Sequence, residues 1–235
     1  RPHGREPGEW LGITDFTVDE TDREIIVTAD RPYKFLYYDY NGNFLREKTS
    51  EAFYTEITRT TDNILAINSK ILEPKHYLSL LNEEDHRITV AKKIPLAFTY
   101  RGEFRCRGSY LLKSEHLYFT QNGDYTIYSW DNNRIKPVVT VDFGKYSYNP
   151  TQLNEEPHAP ATRNKVLSII NVKEIRSNLF FNTNKIGLFV YNKTRHQIVH
   201  AYGITNTNLG IVLHNSIATE DTHNEIVAFS YDMPI

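Results

Sequence analysis

The feature that most constrains this chain is a recurring pattern of short strands. From Phe16 to Lys48 the sequence reads FTVDE, EIIVTAD, KFLYYDY and NFLREK, separated by DETDR, DRPY and Asn41-Gly42-Asn43. Apolar residues that alternate, bounded by Asp, Asn, Gly and Pro, are the pattern of an antiparallel meander. The Asn-Gly pair suits the positive φ angles of a two-residue hairpin. Later stretches repeat the unit. The second is FYTEITRT, NILAINSK, HYLSLLN and HRITVAKK; the third is GSYLLKS, HLYFTQ, YTIYSWD and KPVVTVDFG; the fourth is LSIINVKEI, NLFFNTN, GLFVYN and HQIVHAYG. A fifth begins with GIVLHNSIATED and EIVAFSYDM.

Units of four strands offset by roughly 40 to 60 residues are read as propeller blades, because one such sheet cannot bury both of its faces alone. The expected fold is therefore all-β, a β-propeller of four-stranded antiparallel blades, forming a single domain over residues 1–235. About five blades are visible, which leaves an edge to be covered, so the expectation is that a piece is missing at one end.

Composition agrees. Aromatics at 13% suit strands whose cores are built from Tyr, Phe and Ile. A formal net charge of -2 supplies no field that would recruit nucleic acid or an anionic membrane. No run of about 18 apolar residues is present, so no segment is expected to span a bilayer. The single cysteine, Cys106, has no intramolecular disulfide partner and reads as a small buried hydrophobe.

GREPGEW, then ITDFTVDE, then YDYNGNFLREK resembles the six-bladed β-propeller proteins of Gram-negative gut bacteria, which are similar to NHL-repeat propellers. Pro7-Gly8-Glu9, Asp19 and Asn41-Gly42-Asn43 sit where that family's pattern puts them, and PVVTVDFGKY is similar to its outer-strand ending. The resemblance implies six blades and export to the periplasm or cell surface, with a lipid anchor possible upstream. It also implies a glycan, a peptide or a surface protein complex as partner.

In such a fold the loops joining second to third strands, and outer strands to the next inner one, share a face. Here those are Asp30 to Tyr33, Ser69 to His76, Thr99 to Arg107, Gln121 to Asp124, Lys145 to Lys165, Asn182 to Lys185 and Tyr202 to Asn208. They carry Arg31, Tyr33 and Tyr146, and the residues expected to bind ligand: Arg101, Arg105, Arg107, Tyr148, His158 and Lys185. Arg matches carboxylate in a bidentate manner and Tyr offers a face for a sugar ring. The longest irregular stretch, KYSYNPTQLNEEPHAPATRNK, exceeds the length of ordinary connections and so reads as functional or as a plain excursion.

No helical His-Glu-x-x-His spacing, Gly-x-Ser-x-Gly elbow or phosphate-cradling glycine loop occurs. No catalytic residue, metal ligand or cofactor is therefore assigned. His158 and His214 are the best metal candidates, each also a plain hydrogen-bonded residue. Asp15, Asp19, Glu20 and Asp22 read either as oxygen ligands for calcium or as turn chemistry. Two functions follow. The first is a non-catalytic binding or interaction module. The alternative is a metal-dependent propeller hydrolase or lyase, similar to lactonases, whose His and acidic residues would converge on a central channel.

Overall fold

The structure, a computed structural model, describes residues 4, 7–50, 52–61, 63–67, 76–82, 87–93, 111–113, 116–121, 124–131, 134–147, 165–184, 187–201, 204–206, 211–213, 216–220 and 226–230. Of residues 76–77, 87–93 and those beyond 200, it describes the backbone alone. The chain forms two compact units, Arg1–Glu103 and Phe104–Ile235.

The first unit holds two antiparallel meanders. One consists of β1 (Ile13–Asp19), β2 (Glu24–Ala29), β3 (Lys34–Asp39) and β4 (Phe44–Thr49), hydrogen-bonded in that order. The other is β5 (Glu56–Arg59), β6 (Ile64–Ile67), β7 (His76–Leu81) and β8 (Arg87–Lys93), again in sequence order. Short acids make the turns. Asp19 Oδ1 accepts the Thr21 and Asp22 N–H groups at 3.0 and 3.2 Å, and Asp39 Oδ1 accepts those of Asn41 and Asn43 at 2.9 and 2.8 Å. Gly42, at φ 81°, supplies the left-handed residue that closes the β3–β4 turn. Asp19 and Asp22 thus belong to turn chemistry.

The two sheets pack through Ile26, Phe35 and Tyr37 of the first against Ile57, Ile64, Ala66 and Leu81 of the second. Polar side chains of β1 complete the contact. Thr14 Oγ1 donates to the Tyr54 carbonyl at 2.8 Å, Asp15 Oδ2 accepts the Ile57 N–H at 2.8 Å, and Thr17 Oγ1 accepts the Arg59 N–H at 3.0 Å. Side chains of one inner strand therefore satisfy backbone groups of the next, which a buried strand edge requires. At the end of this ladder Arg59 Nε lies 2.6 Å from Asp19 Oδ2, both side chains almost wholly buried.

The second unit repeats the plan with β9 (Leu111–Lys113), β10 (Leu117–Gln121), β11 (Asp124–Asp131) and β12 (Arg134–Thr140), then β13 (Ile169–Ile175), β14 (Asn178–Thr183), β15 (Leu188–Asn192) and β16 (Gln197–Ala201). Their shared core runs from Tyr118, Ile127 and Phe143 to Val172, Phe181 and Phe189. Phe181 and Phe189 stack at 5.4 Å, and Phe143 meets Phe189 edge-on at 5.5 Å. Such pairs add about 0.5–1.5 kcal/mol each beyond the area they bury.

Two hairpins follow: β17 (Ile204–Asn206) with β18 (Ile211–Leu213), and β19 (Ser216–Glu220) with β20 (Ile226–Ser230). Here the sequence expectation needs correcting. The stretch Tyr202 to Asn208, expected as a loop, contains β17, whose Ile204 and Thr205 are β-branched and pair with Leu213 and Val212. GIVLHNSIATED, which opens the fifth unit, is divided between β18 and β19.

Candidate functional site

Antiparallel alternation gathers the ends of the second and fourth strands of each meander, and the starts of the first and third, at one end of its sheet. In the first unit β1 and β5 run alongside each other in the same direction, Thr14 beside Tyr54 and Thr17 beside Arg59. The loop ends of those two sheets therefore lie together. At that end Asp30 follows β2. Its N–H donates to the Gly12 carbonyl at 2.9 Å, and its carboxylate lies so close over Gly12 that a Cβ there would meet Oδ1 at 2.3 Å. Arg31, held at φ 60°, has a side chain 70% exposed and places Nε 3.3 Å from Asp30 Oδ2. Tyr33 is structural instead: its ring packs on Phe53 at 5.6 Å and its carbonyl accepts the Ser50 N–H at 2.8 Å.

Beside it, Lys34 is buried with its ammonium 2.9 Å from Glu47, which also accepts the Gly8 N–H at 2.6 Å. Burial alone would push the Glu47 carboxyl up, but the Gly8 N–H and the Lys34 ammonium outweigh it and hold the group below its ordinary value.

In the second unit the loop end is organised around the two roots of the long excursion after β12. Gly144–Tyr146 forms a single 3-10 turn, with Gly144 at φ 55°. The Tyr146 carbonyl accepts the Val166 N–H at 2.8 Å, Ser147 and Val166 form a parallel bridge, and Lys165 Nζ donates to the Lys145 carbonyl at 2.7 Å. The chain thus leaves and returns side by side. Neighbouring loops fasten this root. Tyr125, at the start of β11, donates its hydroxyl to the Val166 carbonyl at 2.6 Å, and Asn184 Oδ1, just after β14, accepts the Leu167 and Ser168 N–H groups at 2.7 and 3.1 Å. Tyr146 stays 39% exposed, with Lys145 Nζ 5.1 Å from its ring centre. An aromatic ring fixed by its own backbone and bordered by the Lys145 ammonium offers a stacking face and a charge for an acidic or polyhydroxylated ligand.

The loop end of three of the meanders, each by itself, carries a second feature. Asp30 Oδ1, Gln121 Oε1 and Asn182 Oδ1 are buried acceptors with no hydrogen-bond donor among the described residues, and each stands at the close of a second strand. Buried carbonyl and carboxylate oxygens in that condition call for a donor such as ordered water.

The opposite end of the second unit holds a buried carboxylate. Glu174 of β13 has a side chain 1% exposed and accepts from the Tyr118 hydroxyl at 2.7 Å, from His116 Nδ1 at 2.8 Å and from Lys193 Nζ. Its partners come from the β9–β10 turn, from β10 and from the β15–β16 turn, so it fastens two meanders together. Asn192 Oδ1, in that last turn, accepts the Arg195 N–H at 2.7 Å, which gives Asn192-Lys193-Thr194 a turn role.

The expected ligand-binding residues Arg101, Arg105, Arg107, Tyr148, His158 and Lys185 lie outside the described residues, as do the metal candidate His214 and Cys106. In sequence Tyr148 directly follows the root residue Ser147, and Lys185 directly follows Asn184. Sequence reasoning did not single out Lys145, Asn184 or the Glu174 group; the partners of Asn184 and Glu174 are far along the chain, and spacing carries no trace of them. Among the described residues no three His, Cys, Asp or Glu side chains are grouped to hold a metal ion, and no helix is long and apolar enough to cross a membrane.

Solved structures with the same architecture exist. A Bacteroides fragilis protein named as exported matches with a TM-score of 0.62 at 18% identity, over 83% of this chain and 59% of that one. The Pan2 WD40 domain of Neurospora crassa matches with a TM-score of 0.50 at 15% identity, over 94% of this chain and 60% of the other. The chain therefore spans less than two thirds of each. With these likenesses and its four-stranded antiparallel sheets, the chain has the β-propeller fold. No curated protein matches it in sequence. The family described as Domain of unknown function (DUF4934) matches residues 2–232, and the chain belongs to that family.

Proposed function

We propose that this propeller is a non-catalytic binding module whose loop ends take a glycan, a peptide or a partner protein. The observation that carries the reading is the fastened root of the long excursion. Both ends of a segment too long for a plain connection are pinned to each other and to the loops beside them, which presents a large loop from a rigid scaffold. The exposed Tyr146 ring and the Lys145 ammonium stand at that root. Arg101, Arg105, Arg107, Tyr148, His158 and Lys185 are the proposed ligand-binding residues, with Tyr146 added. The reading includes one propeller domain of six blades, completed beyond this chain, and a setting in the periplasm or at the cell surface, where glycans and surface complexes are met.

The test is binding of the purified chain to an array of acidic and neutral glycans and to a peptide pool. The expected result is a ligand whose affinity falls at least about tenfold, or 1.4 kcal/mol, on Tyr146→Ala and on the combined Arg101→Ala, Arg105→Ala, Tyr148→Ala change. Silent arrays, or binding indifferent to all these substitutions, would refute it.

A further inference from the structure

We propose that the turn end of the second unit is a docking surface for an acidic stretch of a partner protein, held by Lys113, Arg134, Arg176 and Arg195. The surface lies at the opposite end of those sheets from the loop root, so it goes beyond the loop-end reading.

The observation is a local excess of positive charge. Lys113 closes β9, Arg134 opens β12, Arg176 follows β13 and Arg195 lies between β15 and β16, so each cation belongs to a different turn. All four are exposed, and none has an ion-pair partner among the described residues. The carboxylates described at this end are Asp131 and Glu174, and both are taken: Asp131 by Lys136, Glu174 by Lys193 and His116. Glu115, in the β9–β10 turn, lies outside the described residues. Turns of this fold do not need such charge, since the β1–β2 and β3–β4 turns carry Glu20, Asp22 and Asp39 against Arg23.

The cations are also presented on fixed backbone. The Ser177 carbonyl accepts the Lys193 N–H at 2.8 Å and Asn192 Oδ1 accepts the Arg195 N–H at 2.7 Å, while Glu174 draws the β9–β10 and β15–β16 turns together. Side chains on a preorganised surface lose less freedom on binding. Three of the four are arginines, whose planar forks match carboxylates in a bidentate manner. Their spread over four turns suits several carboxylates along one chain rather than a single small anion. No Phe, Tyr, Trp, Leu, Ile or Val is exposed in the described parts of these turns. The end therefore offers no apolar wedge for a bilayer and no stacking face for bases or sugar rings. A protein segment rich in Asp and Glu is the anion that this chemistry fits.

Fluorescence anisotropy of a labelled peptide of alternating Asp and Glu, titrated with the full chain, tests this. Binding is expected to weaken as ionic strength rises. It should fall at least about tenfold in the combined Arg134→Glu, Arg176→Glu, Arg195→Glu chain, and in the same direction in the milder Arg176→Ala, Arg195→Ala chain. Tyr146→Ala, at the loop end, should leave it unchanged, which separates this surface from the loop-end reading. A peptide that does not bind, or binding indifferent to both sets of arginine substitutions, overturns the proposal. Tighter binding at matched charge by heparin, duplex DNA or phosphatidylglycerol vesicles through the same arginines assigns the surface to another class of partner and overturns it equally.

Discussion

Glu174→Ala should be among the most damaging single substitutions in the second unit, and its size can be worked from the partners lost. Tyr118 is 3% exposed, so its hydroxyl would be left buried without an acceptor, a loss of about 1–3 kcal/mol. Lys193 and His116 are 32% and 55% exposed and can turn to water, so each adds no more than about 1 kcal/mol. The small void adds to this, giving about 3 kcal/mol in all, within the roughly 3–5 kcal/mol typical of breaking a buried pair. For a chain of this length each kcal/mol moves the melting point by about 2–4 °C, so a fall of about 6–12 °C is expected. The two tryptophans, Trp10 and Trp130, lie in different units. In a Trp10→Phe background, Trp130 fluorescence during urea unfolding reports the second unit alone. His116→Ala should cost less than about 1 kcal/mol in the same assay, since that ring is largely solvated. A Glu174→Ala chain within about 0.5 kcal/mol of the parent would refute the account of Glu174 as the fastening between the two meanders.

Burial raises the Asp15 carboxyl above its ordinary value, against the lowering effect of the Ile57 and Phe16 N–H groups. The folded state then holds its proton more tightly than the unfolded one, so stability from this group is full below pH 3.8 and falls as pH rises through the raised value. Urea unfolding across the acid range should show that slope flattened in Asp15→Asn, whose side-chain carbonyl still accepts the Ile57 N–H, whereas Asp15→Ala should lose about 1–3 kcal/mol at neutral pH. Tyr128, pushed up to about 12 by burial and by its hydrogen bond to Asp124, should stay protonated well beyond the ordinary tyrosine range in an ultraviolet titration, and Asp124→Asn should bring it down. Gly12→Ala would drive a Cβ to 2.3 Å from Asp30 Oδ1 and should cost about 1–3 kcal/mol by thermal unfolding, with Asp30→Ala in the same chain restoring part of it.

The meanders were legible because their signals are local. Asp19 and Asn41-Gly42 announce their turns within four residues, and FYTEITRT and NLFFNTN are short stretches rich in aromatic and β-branched residues and bounded by turn residues, which is enough to place β5 and β14. What remained hidden depends on neighbours far along the chain. In sequence Asp15 reads as a calcium ligand or a turn residue and Thr17 as one polar position of FTVDE, yet their oxygens accept the Ile57 and Arg59 N–H groups, each 42 residues on. Glu174 sits in an unremarkable VKEI and meets His116 and Tyr118 across 58 and 56 residues. The loop root was half visible: Tyr146 stood out as an aromatic in an irregular stretch, while Asn184, which fixes the returning strand, looked like one more turn asparagine.

The bridge between Ser147 and Val166 is a mounting point whose geometry does not depend on the length of chain between them. Lengthening a closed loop costs free energy only logarithmically, about 0.6 kcal/mol per doubling. Segments of other lengths and sequences can therefore be exchanged between these two points while β12 and β13 keep their register, so a change in that segment need not disturb the sheets beneath.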